Sequence, residues 1–193
     1  MTSSNLIKAT INKLKNSTNH TLVLFSVALL IRAVFVIWFR QEFSATEDEA
    51  YYIELGHNIS QGNGLSLDLD RDFQRDGILD PVMEEPITPL LIGLSIYFSG
   101  GSLLPVHFLY ALMSAALVPI VFLITKQSFS ARAAILSSWI ICLHPMLIFE
   151  SLYLRKETPL LFFASYFILK LIKSLDTLKF KTFFEAGCIL SLS

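Results

Sequence analysis

Long apolar segments alternate with short polar ones along most of the chain. A helix that crosses a bilayer needs about 20 mainly apolar residues. Four segments approach this length: 21–39, 103–125, 133–149 and 159–172. A further apolar segment, 183–193, is an incomplete span. The pattern predicts an all-α fold with one transmembrane domain over residues 1–193, a polytopic membrane helix bundle whose long external first loop carries juxtamembrane helices.

The first apolar segment predicts an uncleaved anchor, because the apolar core of a signal peptide has only about 7–15 residues. Arg32 lies near its middle. A charge at that depth usually faces a bundle interior or a watery cavity. The alternative is an arginine that snorkels towards the nearer interface, and the sequence leaves both interpretations open.

The first loop, residues 40–102, contains one short apolar run, Leu90–Phe98, which Pro86 and Pro89 precede and Gly100 follows. This run is too short to span and predicts an interfacial helix at about 87–98. With that topology most basic residues lie on the side of the N-terminus: Lys8, Lys13, Lys15, Lys126, Arg132, Lys170, Lys173, Lys179 and Lys181. The positive-inside rule then predicts a cytoplasmic N-terminus and an external acidic loop.

The loop opens on a second predicted helix, in which Asp48, Tyr52, Leu55 and Ile59 share one face. Thr46 with Glu49 forms a capping box, so this helix should begin near Glu47. The helix dipole favours acidic residues in the first turn, so these carboxylates need no chemical role to explain them. A carboxylate cluster at the membrane surface, directly after a predicted span, is also a candidate general base.

Composition narrows the class of protein. The chain is 53% hydrophobic with a net charge of −1, and twelve of its sixteen acidic residues fall between Glu42 and Glu85. No basic patch indicates nucleic acid as a partner, and the two cysteines lie in apolar runs without a zinc-site or disulfide pattern. The Asp68–Asp72 run fails the EF-hand pattern, so we predict no resident metal while leaving a divalent ion possible.

A second external feature precedes the fourth span. Arg155 and Lys156 lie beside Glu157, and two cations at an interface are suited to a lipid phosphate. Ordinary interfacial anchoring by Tyr, Arg and Lys is the alternative.

The order of these features resembles the membrane glycosyltransferases of the GT-C class, in particular the protein O-mannosyltransferases and the lipid A aminoarabinose transferase (glycosyltransferase family 39). Four local matches carry the resemblance: 48–52 with 62–64, 85–91, 126–134, and 144–145 with 155–158. Glu85 stands where many members have proline. The chain is shorter than such enzymes, so we expect a truncated gene product or an N-terminal fragment.

The resemblance implies a polyprenyl-phosphate-linked sugar donor and a lipid, glycan or protein acceptor, in the bacterial inner membrane. Asp48, with Glu49 beside it, matches the proposed catalytic base. The substrate-binding candidates are Arg155, Lys156, Glu157, Tyr51, Tyr52, Arg71 and Arg75. A non-catalytic membrane subunit whose acidic loop binds a partner is the alternative. A small transporter is a third hypothesis, for which only Arg32 and His144 supply polar groups at depth.

Overall fold

A computed structural model describes residues 3–40, 46–67, 80–81 and 85–177, together with positions 184 and 187. The helices are α1 (Ser3–Phe39), α2 (Glu47–Ser60), α3 (Ile87–Ser99), α4 (Leu104–Ser128), α5 (Ala131–Leu143), α6 (Pro145–Glu150) and α7 (Glu157–Thr177). Two short strands, β1 (Ser66–Leu67) and β2 (Asp80–Pro81), pair antiparallel. The predicted all-α fold is therefore confirmed.

Three helices in the described part of the chain are long and apolar enough to cross a membrane. They are Asn19–Phe39 within α1, Leu104–Ser128 as the whole of α4, and Glu157–Leu175 within α7. Helices α3 and α5 are apolar but shorter. Leu24 and Ala28 of α1, Ala115 and Val118 of α4, and Cys142 of α5 form a buried cluster. The predicted membrane helix bundle is confirmed, and the protein is an integral membrane protein.

The stretch 133–149, which the apolar pattern predicts as one span, lies in two helices. Helix α5 ends at Leu143, and His144 caps both α5 and α6 with an extended backbone. Pro145 has no backbone N–H to continue the ladder, and its ring clashes with the carbonyl of the residue four positions earlier. The break therefore leaves carbonyl groups at the end of α5 without their usual helical donors.

Helices α2 and α3 cross at two glycines. A Cβ atom added to Gly93 would lie 2.9 Å from Ile59 Cγ2 and 3.0 Å from the Gly56 carbonyl oxygen. Only residues without a side chain allow the two backbones to approach this closely. Helix α3 ends at Gly100, whose φ of 69° is in the left-handed region that glycine tolerates.

The α2–α3 pair packs on α4 through one apolar core. Its buried members are Tyr52, Leu55, Leu67, Ile92, Ile96, Val106, Tyr110 and Leu154. Because Leu154 belongs to the segment 151–156 before α7, this core joins residues of α2 to that segment. The same contact sets the position of the residues that follow Leu154.

Candidate active site at the α2–α7 junction

One cavity of about 580 Å³ lies between the start of α2 and the start of α7. Its lining residues are Glu47, Asp48, Tyr51, Tyr52, Arg155, Lys156 and Glu157. Six of these are residues that the sequence singled out, and they come from two segments about a hundred positions apart. Arg71 and Arg75 lie outside the described residues.

Asp48 occupies the first turn of α2, with its side chain exposed at the cavity. Thr46 is the N-cap, and its Oγ1 accepts the backbone N–H of Glu49 at 3.2 Å. The helix begins at Glu47, as the capping box predicts. This start fixes Asp48 on the turn that borders the cavity.

Glu49 turns away from the cavity and is only 7% exposed. Its Oε1 accepts the backbone N–H of Leu154 at 3.0 Å. Burial raises the pKa of Glu49 above the ordinary glutamate value, against the lowering effects of the Leu154 N–H, the Arg155 charge and the Thr46 N–H. Glu49 therefore connects the two walls of the cavity rather than lining it.

Arg155 is held by Glu150, the last residue of α6. Its Nη2 donates to both carboxylate oxygens of Glu150 at 2.7 Å, and its guanidinium lies 5.0 Å from the centre of the Tyr153 ring. Burial alone would lower the pKa of Arg155, but Glu150, Glu157 and Asp48 together raise it above the ordinary value. Arg155 is therefore a permanent cation, close enough to Asp48 for their charges to interact.

The Nε of Arg155 keeps an unused hydrogen-bond donor. This buried Nε and the buried Oε2 of Glu157 have no hydrogen-bond partner in the described part of the chain. These two atoms are 3.9 Å apart. At this distance the two groups form an ion pair, so Glu157 as well as Glu150 holds the charge of Arg155 in place.

Lys156 is more exposed than Arg155. Its Nζ donates to Glu85 at 3.2 Å, and both side chains are 44% exposed. Exposed ion pairs contribute little to stability, about 0–1 kcal/mol. The pair with Glu85 therefore adds little to the stability of the fold.

Tyr51 and Tyr52 supply the aromatic surface of the cavity. Their rings meet edge to face with centroids 5.6 Å apart. Tyr52 is buried and also belongs to the core between α2 and α4. The aromatic wall is thus anchored by the same packing that positions Leu154.

Two acidic residues in this arrangement, Glu150 and Glu85, were not predicted as site residues from the sequence. Glu150 is a single acid at the end of an apolar run, a position at which an ionisable residue usually has a partner. That pattern indicates that Glu150 forms an ion pair, but it does not indicate which cation is its partner. Glu85 meets Lys156 across 71 positions, and no local spacing indicates such a contact. No group of three or more His, Cys, Asp or Glu residues suited to a metal occurs within the described ranges.

The fold and this cavity together define a polytopic membrane protein with a charged site at one end of its helix bundle. Residues 81–193 match the family described as dolichyl-phosphate-mannose-protein mannosyltransferase. This match covers more than half of the chain, so the chain belongs to that family, which consists of membrane glycosyltransferases of the GT-C type. The match includes Arg155–Glu157 and begins after α2. No curated protein and no solved structure matches the chain.

Proposed function

We propose that this cavity transfers a sugar from a polyprenyl-phosphate-linked donor to an acceptor hydroxyl. The observation that carries the proposal is the joint lining of one cavity by Asp48 and by Arg155, Lys156 and Glu157. Such a transfer needs a proton acceptor for a weakly nucleophilic hydroxyl and fixed cations for a departing phosphate. The cavity supplies both kinds of group.

In the proposed reaction the carboxylate of Asp48 accepts the proton of the acceptor hydroxyl. The hydroxyl oxygen forms a bond to the anomeric carbon as the bond from that carbon to the phosphate oxygen breaks. The electron pair of the broken bond stays on the phosphate, and the configuration at the anomeric carbon inverts. The released lipid phosphate carries one more negative charge than it did in the donor.

Arg155 and Lys156 are the groups that we assign to this developing charge. The Nε of Arg155 has no hydrogen-bond partner among the described residues, although Nη2 is bound to Glu150. Lys156 forms an exposed pair with Glu85. We assign Glu157 and the aromatic wall of Tyr51 and Tyr52 to the sugar, whose hydroxyls need hydrogen-bond partners and whose apolar face stacks on aromatic rings.

An apolar groove of about 380 Å³ supports a lipid donor in particular. It is lined by Ile87, Leu91, Leu109, Leu112, Met113, Ala116, Phe162 and Phe163. Ile87 follows Glu85, the partner of Lys156, by two residues, and Phe162 lies on α7 little more than one turn after Glu157. We assign it to the first isoprene units of the donor.

We place the cavity on the external face with the N-terminus in the cytoplasm. The supporting observation is the distribution of basic residues described above, which the positive-inside rule assigns to the cytoplasmic side.

The decisive experiment compares Asp48→Asn with Thr46→Ala in full-length protein reconstituted in liposomes. A membrane extract supplies the acceptors, and polyprenyl-phosphate mannose and aminoarabinose are offered as donors. Loss of the proton acceptor should lower turnover by roughly two to four powers of ten. Thr46→Ala removes only the helix cap and should leave turnover within a small factor of the unmodified protein. Equal, mild losses from both changes would remove Asp48 as the base, and no transfer from either donor by the unmodified protein would count against the function itself.

A further inference from the structure

Arg32 is a fully buried charge in the bundle, and every polar atom of its side chain is engaged. Nε donates to Ser114 Oγ at 2.8 Å, and Nη1 donates to the carbonyl oxygens of Ala28 and Cys142 at 3.2 and 3.3 Å. Nη2 donates to the Ile141 carbonyl oxygen at 3.3 Å. Arg32 therefore faces the bundle interior, and the snorkelling interpretation is wrong.

Two of these acceptors exist because α5 is broken. Pro145 lacks the N–H that would bond to the Ile141 carbonyl four positions earlier, and the extended backbone of His144 frees the Cys142 carbonyl. A buried carbonyl without a partner costs free energy comparable to a lost hydrogen bond. Arg32 supplies the missing donors from α1.

The same network reaches α6. Ser114 of α4 accepts from Arg32 and donates through Oγ to the Leu147 carbonyl at 3.0 Å. At the other end of α6, Thr158 Oγ1 donates to the Glu150 carbonyl at 3.1 Å. Helix α6 has only six residues, so contacts from outside it decide where its last residue, Glu150, lies.

We propose that Arg32 and Ser114 are positioning residues for the cavity. They hold the broken α5–α6 segment so that Glu150 presents Arg155 to the ligand. The structural part of this inference stands on the contacts alone, whereas its kinetic part rests on the proposed function. Two separate measurements therefore test it.

The first measurement is amide hydrogen exchange of the full-length protein in lipid nanodiscs. Ser114→Ala removes the link to Leu147, and peptides spanning residues 147–157 should exchange roughly two- to tenfold faster, the worth of one net hydrogen bond. Helix α3 should be unaffected. Ser137→Ala is the matched control, because Ser137 is likewise a serine that links α4 to another helix, here α5 through Thr125 at 3.1 Å, while its hydrogen bonds in the described part of the chain do not reach α6. A uniform increase throughout the protein, no increase, or the same increase from Ser137→Ala would overturn the proposal.

The second measurement is the KM for the polyprenyl-phosphate sugar, which does not depend on how much of the enzyme is folded. Ser114→Ala should raise this KM roughly two- to tenfold, and kcat should fall as well, because Arg155 is also assigned to the charge that develops on the phosphate. In an Arg155→Gln background the same change should have no further effect, because the group that Ser114 positions is gone. An equal effect in both backgrounds would contradict positioning through Arg155. If the unmodified protein shows no transfer, the proposed function fails, and the exchange experiment still decides the role of Ser114.

Discussion

The Oε1 atom of Glu49 lies 3.0 Å from the backbone nitrogen of Leu154, whose N–H it accepts across 105 positions of sequence. This bond joins the first turn of α2 to the segment that carries Arg155 and Lys156. It fixes the spacing between the proposed base and the proposed phosphate-binding cations.

Removal of the Glu49 carboxylate should separate its acceptor role from its charge. Glu49→Ala leaves the buried N–H of Leu154 without its partner and should lower the free energy of unfolding by about 1–3 kcal/mol. Glu49→Gln retains an acceptor and should cost less. Urea unfolding in detergent micelles measures both variants. Equal losses from the two changes would contradict a hydrogen-bonding role.

The raised pKa of Glu49 also predicts a pH dependence. The unfolded chain releases the Glu49 proton at a lower pH than the folded protein does. As pH rises from the ordinary glutamate pKa to the higher folded value, the folded state therefore binds more protons, and stability falls. Glu49→Gln should lack this component of the decline. The free energy of unfolding of the unmodified protein minus that of Glu49→Gln should decrease from pH 4 upwards, and an increase of this difference with pH would contradict the sign.

Arg155 and Lys156 should differ strongly when each is replaced by Gln. Lys156→Gln breaks an exposed pair and should cost at most about 1 kcal/mol of stability. Arg155→Gln leaves the buried carboxylate of Glu150 unpaired, so both stability and donor affinity should suffer. The double change Arg155→Gln with Glu150→Gln should recover stability but not donor affinity. Thermal unfolding measures stability, and a polyprenyl-phosphate binding assay measures donor affinity. If the double variant recovers both stability and donor affinity, Arg155 has a structural role alone.

The crossing of α2 and α3 should not tolerate a methyl group. Gly93→Ala forces the new Cβ against Ile59 and the Gly56 carbonyl, and overpacking of this kind typically costs about 1–3 kcal/mol. Ala50→Ser, on the exposed face of α2, is a control of similar size. The thermal unfolding midpoint should fall for the first and stay unchanged for the second. Equal midpoints would mean that the helices separate without cost.

Single cysteines test the topology. In a background with Cys142→Ala and Cys188→Ala, Gln61→Cys places an exposed thiol after α2, and Gln127→Cys places one in the last turn of α4. A membrane-impermeant maleimide should label residue 61 from outside intact cells and residue 127 only after permeabilisation. Labelling of both from the same side would mean that α3 crosses the membrane.

Local patterns predicted the elements well, and the site only in part. Thr46 fixes the start of α2 and Gly100 the end of α3, because both effects act within one turn of helix. The pairing of Lys156 with Glu85 depends instead on how α2, α3 and α7 pack. Sequence spacing identified Asp48 and Arg155 as separate candidates, but not Glu150 as the residue that holds the arginine.

The two-part construction of the cavity also bears on its synthesis. One wall comes from α2 and the other from residues 155–157. Asp48 is therefore translated about a hundred residues before its cationic neighbours. Until the start of α7 has been made and packed, the acidic turn has no pocket around it. A nascent chain that stalls before this point therefore cannot assemble the charged cavity, and its completion coincides with the arrival of α7 in the bundle.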